Sequence, residues 1–171
     1  MERVDTLMKH PLFQECRELI DRAEVNRIYC KHNLEHSLDV ARIAYILNLE
    51  EQGALDKELI YAMALVHDLG RSEEYQNGKN HHIAGAEIAK QLLEASGFSA
   101  EEVHMICQAV AAHKSWSDEG LVKKAEEQEK VVEYCKKLLY RADKLSRNCY
   151  DCSASKTCYW DEKARNHQVL I

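Results

Sequence analysis

The 171-residue chain has a single proline, six glycines, two phenylalanines and two tryptophans. So few turn-forming residues exclude the frequent tight turns of a β-sandwich or barrel, while abundant Ala, Leu, Glu and Lys favour long helices. No apolar run approaches the ~20 residues that span a bilayer. The N-terminal run MERVDTLMKHP is charged from its second residue and has no apolar signal core. These absences point to a cytoplasmic protein with no membrane partner. An excess of basic charge is missing too: 23 Lys and Arg stand against 29 Asp and Glu, a formal net charge of -6. Binding to a phosphate backbone rests on clustered basic residues, so no nucleic-acid partner is expected. A small anionic substrate stays compatible with the charge, because bound cations reverse the field locally.

What is present is apolar periodicity of a helical kind, and 46% hydrophobic residues are enough for one domain with its own core. Pro11 suits a helix start, and Leu12, Cys16, Leu19 and Ile20 repeat at helical spacing as far as Val25. After a link at 29–32, Asn33 is a good N-cap for a second helix that stops at Gly53. Asp56 caps a third, 57–68, apolar on most sides and ended by Gly70, which reads as the central buried helix. The polar stretch 71–80 reads as a loop and a mobile cover for a site. Helices follow at about 81–96 and 99–113, the latter opened by a Ser99–Glu102 capping box. A polar loop with Trp116 at 115–120 precedes a long helix at about 121–145. The fold class is therefore all-α, with one helical domain over 1–147 (core 33–147) and a Cys-rich tail, 148–171, packed on it.

The seven cysteines are an odd number without a signal peptide, which points to reduced thiols. Cys16, Cys107 and Cys135 lie in apolar helical patterns and read as small core residues. Cys149, Cys152 and Cys158, in NCYDCSASKTCYW, form the second signal. Their C-x2-C pair suits a tetrahedral metal or a redox site, with Cys30 or His167 completing the set. The simpler reading is a tail of free thiols packed with Tyr150, Tyr159 and Trp160, because the usual second pair is missing.

His36, His67, His81 and His113 all fall close to expected helix ends beside apolar sequence, and Asp68 and Asp143 share that placement. Imidazole with carboxylate is the donor set of borderline divalent metals, whereas Mg alone takes oxygen ligands. Adjacent His67 and Asp68 project about a hundred degrees apart on a helix of ~3.6 residues per turn, so one residue can hold a cation while its neighbour bridges to another. That favours two divalent transition metals, from Fe, Mn, Co, Ni or Zn, with Fe preferred. Asp68 at a helix C-terminus sits against the helix dipole, so something positive should compensate. His82 neighbours His81 and is the alternate to it as a ligand. His10, His32, His104 and His167 read as caps or surface residues.

The order His36 in LEHSLDVAR, His67-Asp68 in ALVHDLGR and Asp143 in LYRADKLSR resembles the HD superfamily of metal-dependent phosphohydrolases. HHIAGAEIAKQLL is similar to the family's H-x-x-x-G-A helix start and selects His81, while AVAAHKS selects His113. With both present, the likeness is to the binuclear branch and its HD-domain helical bundle. The resemblance implies hydrolysis of a small-molecule phosphate, such as a nucleotide, by water activated between the cations. Lys114 after His113 and the absence of Gly-Tyr-Pro separate the chain from the cyclic-dinucleotide phosphodiesterases of the family. The same donor set also occurs in mixed-valent di-iron oxygenases of the HD fold, and a non-catalytic nucleotide sensor is a third reading. Asp68, with the cations Arg71 and Lys144, makes up the expected catalytic group. Arg147, Lys79 and Lys114 are further cations near the ligands.

Overall fold

A computed structural model describes residues 1–114 and 127–171, and no strand occurs among them. The expected loop at 115–120 and the first turns of the expected last helix, 121–126, lie outside the described residues. The described residues form eight α-helices: α1 Glu2–Lys9, α2 Pro11–Ala23, α3 Leu34–Glu50, α4 Lys57–Val66, α5 Arg71–Asn77, α6 His81–Ala95, α7 Ala100–Ala112 and α8 Glu127–Leu145. Three short 3-10 turns follow at Cys149–Asp151, Ser155–Thr157 and Glu162–Ala164.

Local chemistry explains most helix starts. The Asn33, Asp56 and Asn80 side chains accept from the backbone N–H of His36, Glu58 and His82, and Ser99 and Glu102 form the reciprocal capping box of α7. His10 caps α2 by accepting from the N–H of Leu12, with Pro11 in the first turn. The central position of α4 is confirmed: Leu59, Ile60 and every residue from Ala62 to Val66 are buried. It packs against α3, α7, α1 and α6, and α8 packs on α3 and α7 beyond it.

Two elements differ from expectation. Helix α1 carries no side-chain cap and was invisible to periodicity; burial of Val4 and Leu7 and the contacts of Arg3 with Glu58 and Glu102, both at 2.8 Å, hold it. The stretch expected as a loop after Gly70 is helix α5, ended by Gly78 in the left-handed conformation at φ 68°. Its polar composition concealed a helix that buries Ser72 and packs on α2 and α6. The segment is thus built into the bundle.

Helix α4 also stops short of the expected end. His67 is its C-cap, and Asp68 lies in the turn between α4 and α5. A Cβ on Gly70 would fall 2.1 Å from the carbonyl oxygen of His81 and 2.4 Å from the nitrogen of Gly85. The backbone of this turn therefore lies directly on the start of α6, which only glycine allows. This contact brings the His67-Asp68 pair beside His81.

Candidate metal centre

Asp68 is the hub of the site. Its side chain is 5% exposed, and its two oxygens face different groups. Oδ2 lies 3.1 Å from His67 Nε2 and 3.6 Å from His36 Nε2, while Oδ1 lies 3.7 Å from His113 Nε2. His36 Nε2 is also 3.5 Å from Asp143 Oδ1. Helix ends bring these groups together: the first turn of α3, the exit of α4, the exit of α7 and the last turns of α8 meet at one end of the bundle.

The orientation of the imidazoles is fixed by what each Nδ1 touches. Nδ1 of His67 lies 2.6 Å from the carbonyl of Ala64, and that of His113 lies 2.6 Å from the carbonyl of Val110. Nδ1 of His81 meets Glu74 Oε1 at 2.9 Å. The Ser146 hydroxyl donates to the carbonyl of Asp143, so its oxygen is left to accept from His36 Nδ1 at 3.3 Å. An oxygen acceptor at Nδ1 takes the ring proton, and the lone pair is then at Nε2. Nε2 of His36, His67 and His81 is buried with no hydrogen-bond partner. Lone pairs thus confront carboxylate oxygens at 3.1 to 3.7 Å.

Such a meeting of acceptors is unfavourable unless a cation lies between them. Ligands about 2.0–2.1 Å from a tetrahedral ion stand about 3.3 Å from one another, which is the spacing seen here. The donors fit a divalent cation. They form two groups whose ligand atoms lie within 4.8 Å of each other: His36, His67 and Asp143, and His81, His82 and His113. The sequence set His82 against His81 as alternates, yet both rings stand in the second group, 4.0 Å apart and 5.7 and 4.8 Å from the ring of His113. An i, i+1 pair can share a target here because α6 begins at His81 and the first turn presents both rings toward α7.

Burial opposes the charge of Asp68, but the Arg71 guanidinium beside it holds its carboxyl well below the usual range. Asp143 is also lowered: the Lys144 ammonium outweighs burial. Both acids therefore meet the site ionised. The positive partner expected for Asp68 is Arg71, whose Nε donates to Oδ1 at 2.9 Å and whose Nη1 lies 3.6 Å from Glu74. Lys144 pairs with Asp143, not with Asp68, and its ammonium stands 5.0 Å from the ring centre of Tyr140. Arg147 stacks on Trp160 at 3.9 Å. Lys79 is exposed and pairs with Glu73, away from the ligands.

A cavity of about 710 Å³ opens on the donors, and its lining includes the cations Arg71, Lys114, Lys144 and Arg147 and the aromatic residues Tyr29, Tyr159 and Trp160. The tail supplies Tyr159 and Trp160 to this lining. Arg165 donates to the carbonyls of Trp160, Ser155 and Cys158 at 2.8, 3.1 and 3.1 Å, and the Asn166 amide caps the last carbonyls of α8. Cys30, Cys149, Cys152 and Cys158 line the cavity as free thiols. Among the described residues none of them enters a group with metal-holding spacing, although burial, with Cys149 and Cys158 nearby, raises the pKa of the Cys30 thiol. His167 points elsewhere, its Nε2 against the carbonyl of Glu162, and is exposed. Of the core cysteines, Cys16 and Cys135 are buried, and burial pushes the Cys135 thiol up to about 12.

One cluster escaped the sequence reading. His32, set among surface histidines, is 11% exposed and stands edge-on to His36. Its backbone N–H and Nδ1–H donate to the buried carboxylate of Glu24 at 2.7 and 2.6 Å, and the Tyr75 hydroxyl donates at 2.5 Å. Burial would raise the Glu24 pKa, but the hydrogen bonds from His32 and Tyr75 hold it at about 2. Burial lowers the pKa of His32 despite Glu24, so the pair is held as a neutral donor on a carboxylate. Glu24 is the C-cap of α2, and no motif marks it.

Residues 33–148 match the HD domain family. The chain is 40% identical over 146 residues to an uncharacterized protein of Clostridium beijerinckii, covering 85% of this chain and 84% of that one. It is 30% identical over 104 residues to ribonuclease Y of Clostridium novyi, but these are 61% of this chain and only 19% of that enzyme. A crystal structure of a predicted HD superfamily hydrolase from an uncultured Thermotogales bacterium superposes with a TM-score of 0.58 over 96% of this chain and 87% of the other, at 23% identity, a likeness of fold. The chain, with its His67-Asp68 pair at the centre of a histidine-and-carboxylate site, belongs to the HD domain family.

Proposed function

We propose that the protein is a metal-dependent phosphohydrolase that cleaves a phosphate ester of a nucleotide or a similar small molecule, using two divalent cations held by His36, His67, Asp68, His81, His113 and Asp143. The observation that carries this reading is the bridging placement of Asp68, whose two oxygens face different groups of Nε2 lone pairs. A pair of cations supplies Lewis acidity and lowers the pKa of water for attack at phosphorus.

The remaining work falls to the chain itself. Arg71 and Lys144 pair with Asp68 and Asp143 and keep both ionised. Lys114 and Arg147 line the cavity and offer positive charge to phosphate oxygens. The cavity volume lies within the ~300–1,000 Å³ typical of small-molecule sites, and Tyr29, Tyr159 and Trp160 give its tail side aromatic faces suited to a nucleobase. Ribonuclease Y, by name an RNA-cleaving enzyme, shares this domain, in keeping with phosphate chemistry on a nucleotide.

The test is elemental analysis of the purified chain followed by phosphate release from a nucleotide panel with Mn, Fe, Co and Ni. Two metals per chain with release of phosphate is the expected result. Oxygen consumption by the iron-loaded protein without phosphate release would replace the reading with an oxygenase. Saturable nucleotide binding without turnover would leave a sensor.

A further inference from the structure

We propose that His82 is a ligand of the second cation, so that this ion takes three imidazoles, from His81, His82 and His113, together with the bridging carboxylate of Asp68. The inference rests on the two-cation reading above and adds a donor to it. His82 Nδ1 is a buried nitrogen with no hydrogen-bond partner, in the same condition as Nε2 of His36, His67 and His81. A desolvated imidazole nitrogen without a partner is unfavourable, and the cost is removed when the nitrogen binds something. A donor from the neighbouring rings is not at hand. Nδ1 of His81 is committed to Glu74 and Nδ1 of His113 to Val110, so each turns a lone pair toward the shared space.

The position is built. The N–H of His82 is tied to the Asn80 cap at 3.0 Å, which fixes the first turn of α6. One ligand atom each from His81, His82 and His113 lies within 4.8 Å of the others, and Oδ1 of Asp68 lies 3.7 Å from His113 Nε2 on the same side. The two cation positions then differ in chemistry. His36, His67, Asp68 and Asp143 give the first two nitrogens and two oxygens, while the second has three nitrogens and one oxygen. Nitrogen-rich sites favour Fe, Co, Ni and Zn over Mn, so the two positions differ in affinity and load one after the other.

The experiment is titration of the metal-stripped full chain with Co(II), read by calorimetry, by metal content at fixed free cobalt, and by the visible absorption of bound Co(II). Wild type should take up two ions in two steps. His82→Ala should keep the first step and its spectrum and lose at least ~10- to 100-fold in the affinity of the second, since even indirect partners of metal ligands have effects of that size. If helical circular dichroism shows that His82→Ala does not fold, His82→Gln is read by the same criteria. Two ions at unchanged affinity in the variant would overturn the assignment and leave the two-cation reading standing. Equal weakening of both steps would overturn it as well. A wild-type chain that binds one ion or none would overturn both.

Discussion

On the helical wall of the cavity the imidazoles of His36, His67, His81 and His113 are tied at Nδ1 to oxygens of the chain, whereas on the tail wall Cys152, Cys158, Tyr159 and Trp160 lie between short 3-10 turns held by Arg165 and Asn166. His67 and His113 are nearly sealed from solvent, while Tyr159 is 63% exposed. The first wall is a set of fixed donors that pack as part of the core. The second is a surface that can vary without disturbing the bundle. The division suggests chemistry on one side and choice of substrate on the other, and each prediction below tests that division.

The largest effect is expected at the hub. Asp68→Ala removes the carboxylate shared by both histidine groups, so activity should fall about a thousandfold or more, the scale of several kcal/mol of lost charge stabilisation. Metal content should fall at both positions, and helical circular dichroism should persist because Asp68 lies in a turn. Native turnover by the variant would sink the proposed function. Gly70→Ala comes next. The added methyl meets backbone atoms of His81 and Gly85 that cannot rotate away, so a loss of about 3 kcal/mol in denaturant unfolding is expected, at the upper end of overpacking costs. It should also weaken metal binding by parting Asp68 from His81.

Glu24 sharpens the comparison through pH. Its folded pKa, about 2, lies below the ordinary value of 4.5, so its contribution is fully present above pH 4.5 and is lost as pH falls toward 2. His32 adds a loss that begins as pH falls through its ordinary value of 6.5, because its folded pKa is lowered. Glu24→Gln should cost about 2 kcal/mol at pH 7 and flatten the acid limb of a stability profile between pH 4.5 and 2. An unchanged acid limb would show that the cluster does not support the helical wall.

What the sequence disclosed follows the same division. The donors His36, His67, Asp68, His81, His113 and Asp143 sit at helix ends, and helix ends are written locally by caps such as Asn33, Asn80 and Ser99, so their placement was legible. The role of α5 was not, because RSEEYQN reads as polar loop until α2 and α6 are there to pack on it. Glu24 and His32 stayed hidden for a similar reason: their partner Tyr75 is 51 residues from Glu24, and no spacing rule joins them. His82 was half legible, since the motif chose His81 and only the fold shows both rings in one group. The tail cysteines gave a motif but no gathered site. Short 3-10 turns have no periodicity from which the direction of a side chain can be read.

The smallest effect is expected on the tail wall. Arg165 touches three backbone carbonyls of the segment carrying Trp160 and Cys158, and it also pairs with the exposed Glu162 at 3.1 Å. It touches none of the metal donors. Arg165→Ala should therefore loosen the aromatic face while leaving the cation positions intact, with a stability cost near 1 kcal/mol, the usual net value of a hydrogen bond or two. With a nucleotide that the wild type hydrolyses, KM should rise roughly three- to tenfold, the size of about 1 kcal/mol of uniform binding, and kcat should stay close to the wild-type value. A fall in kcat at unchanged KM would mean that the tail acts on the reacting phosphate itself, and the separation of the two walls would have to be abandoned.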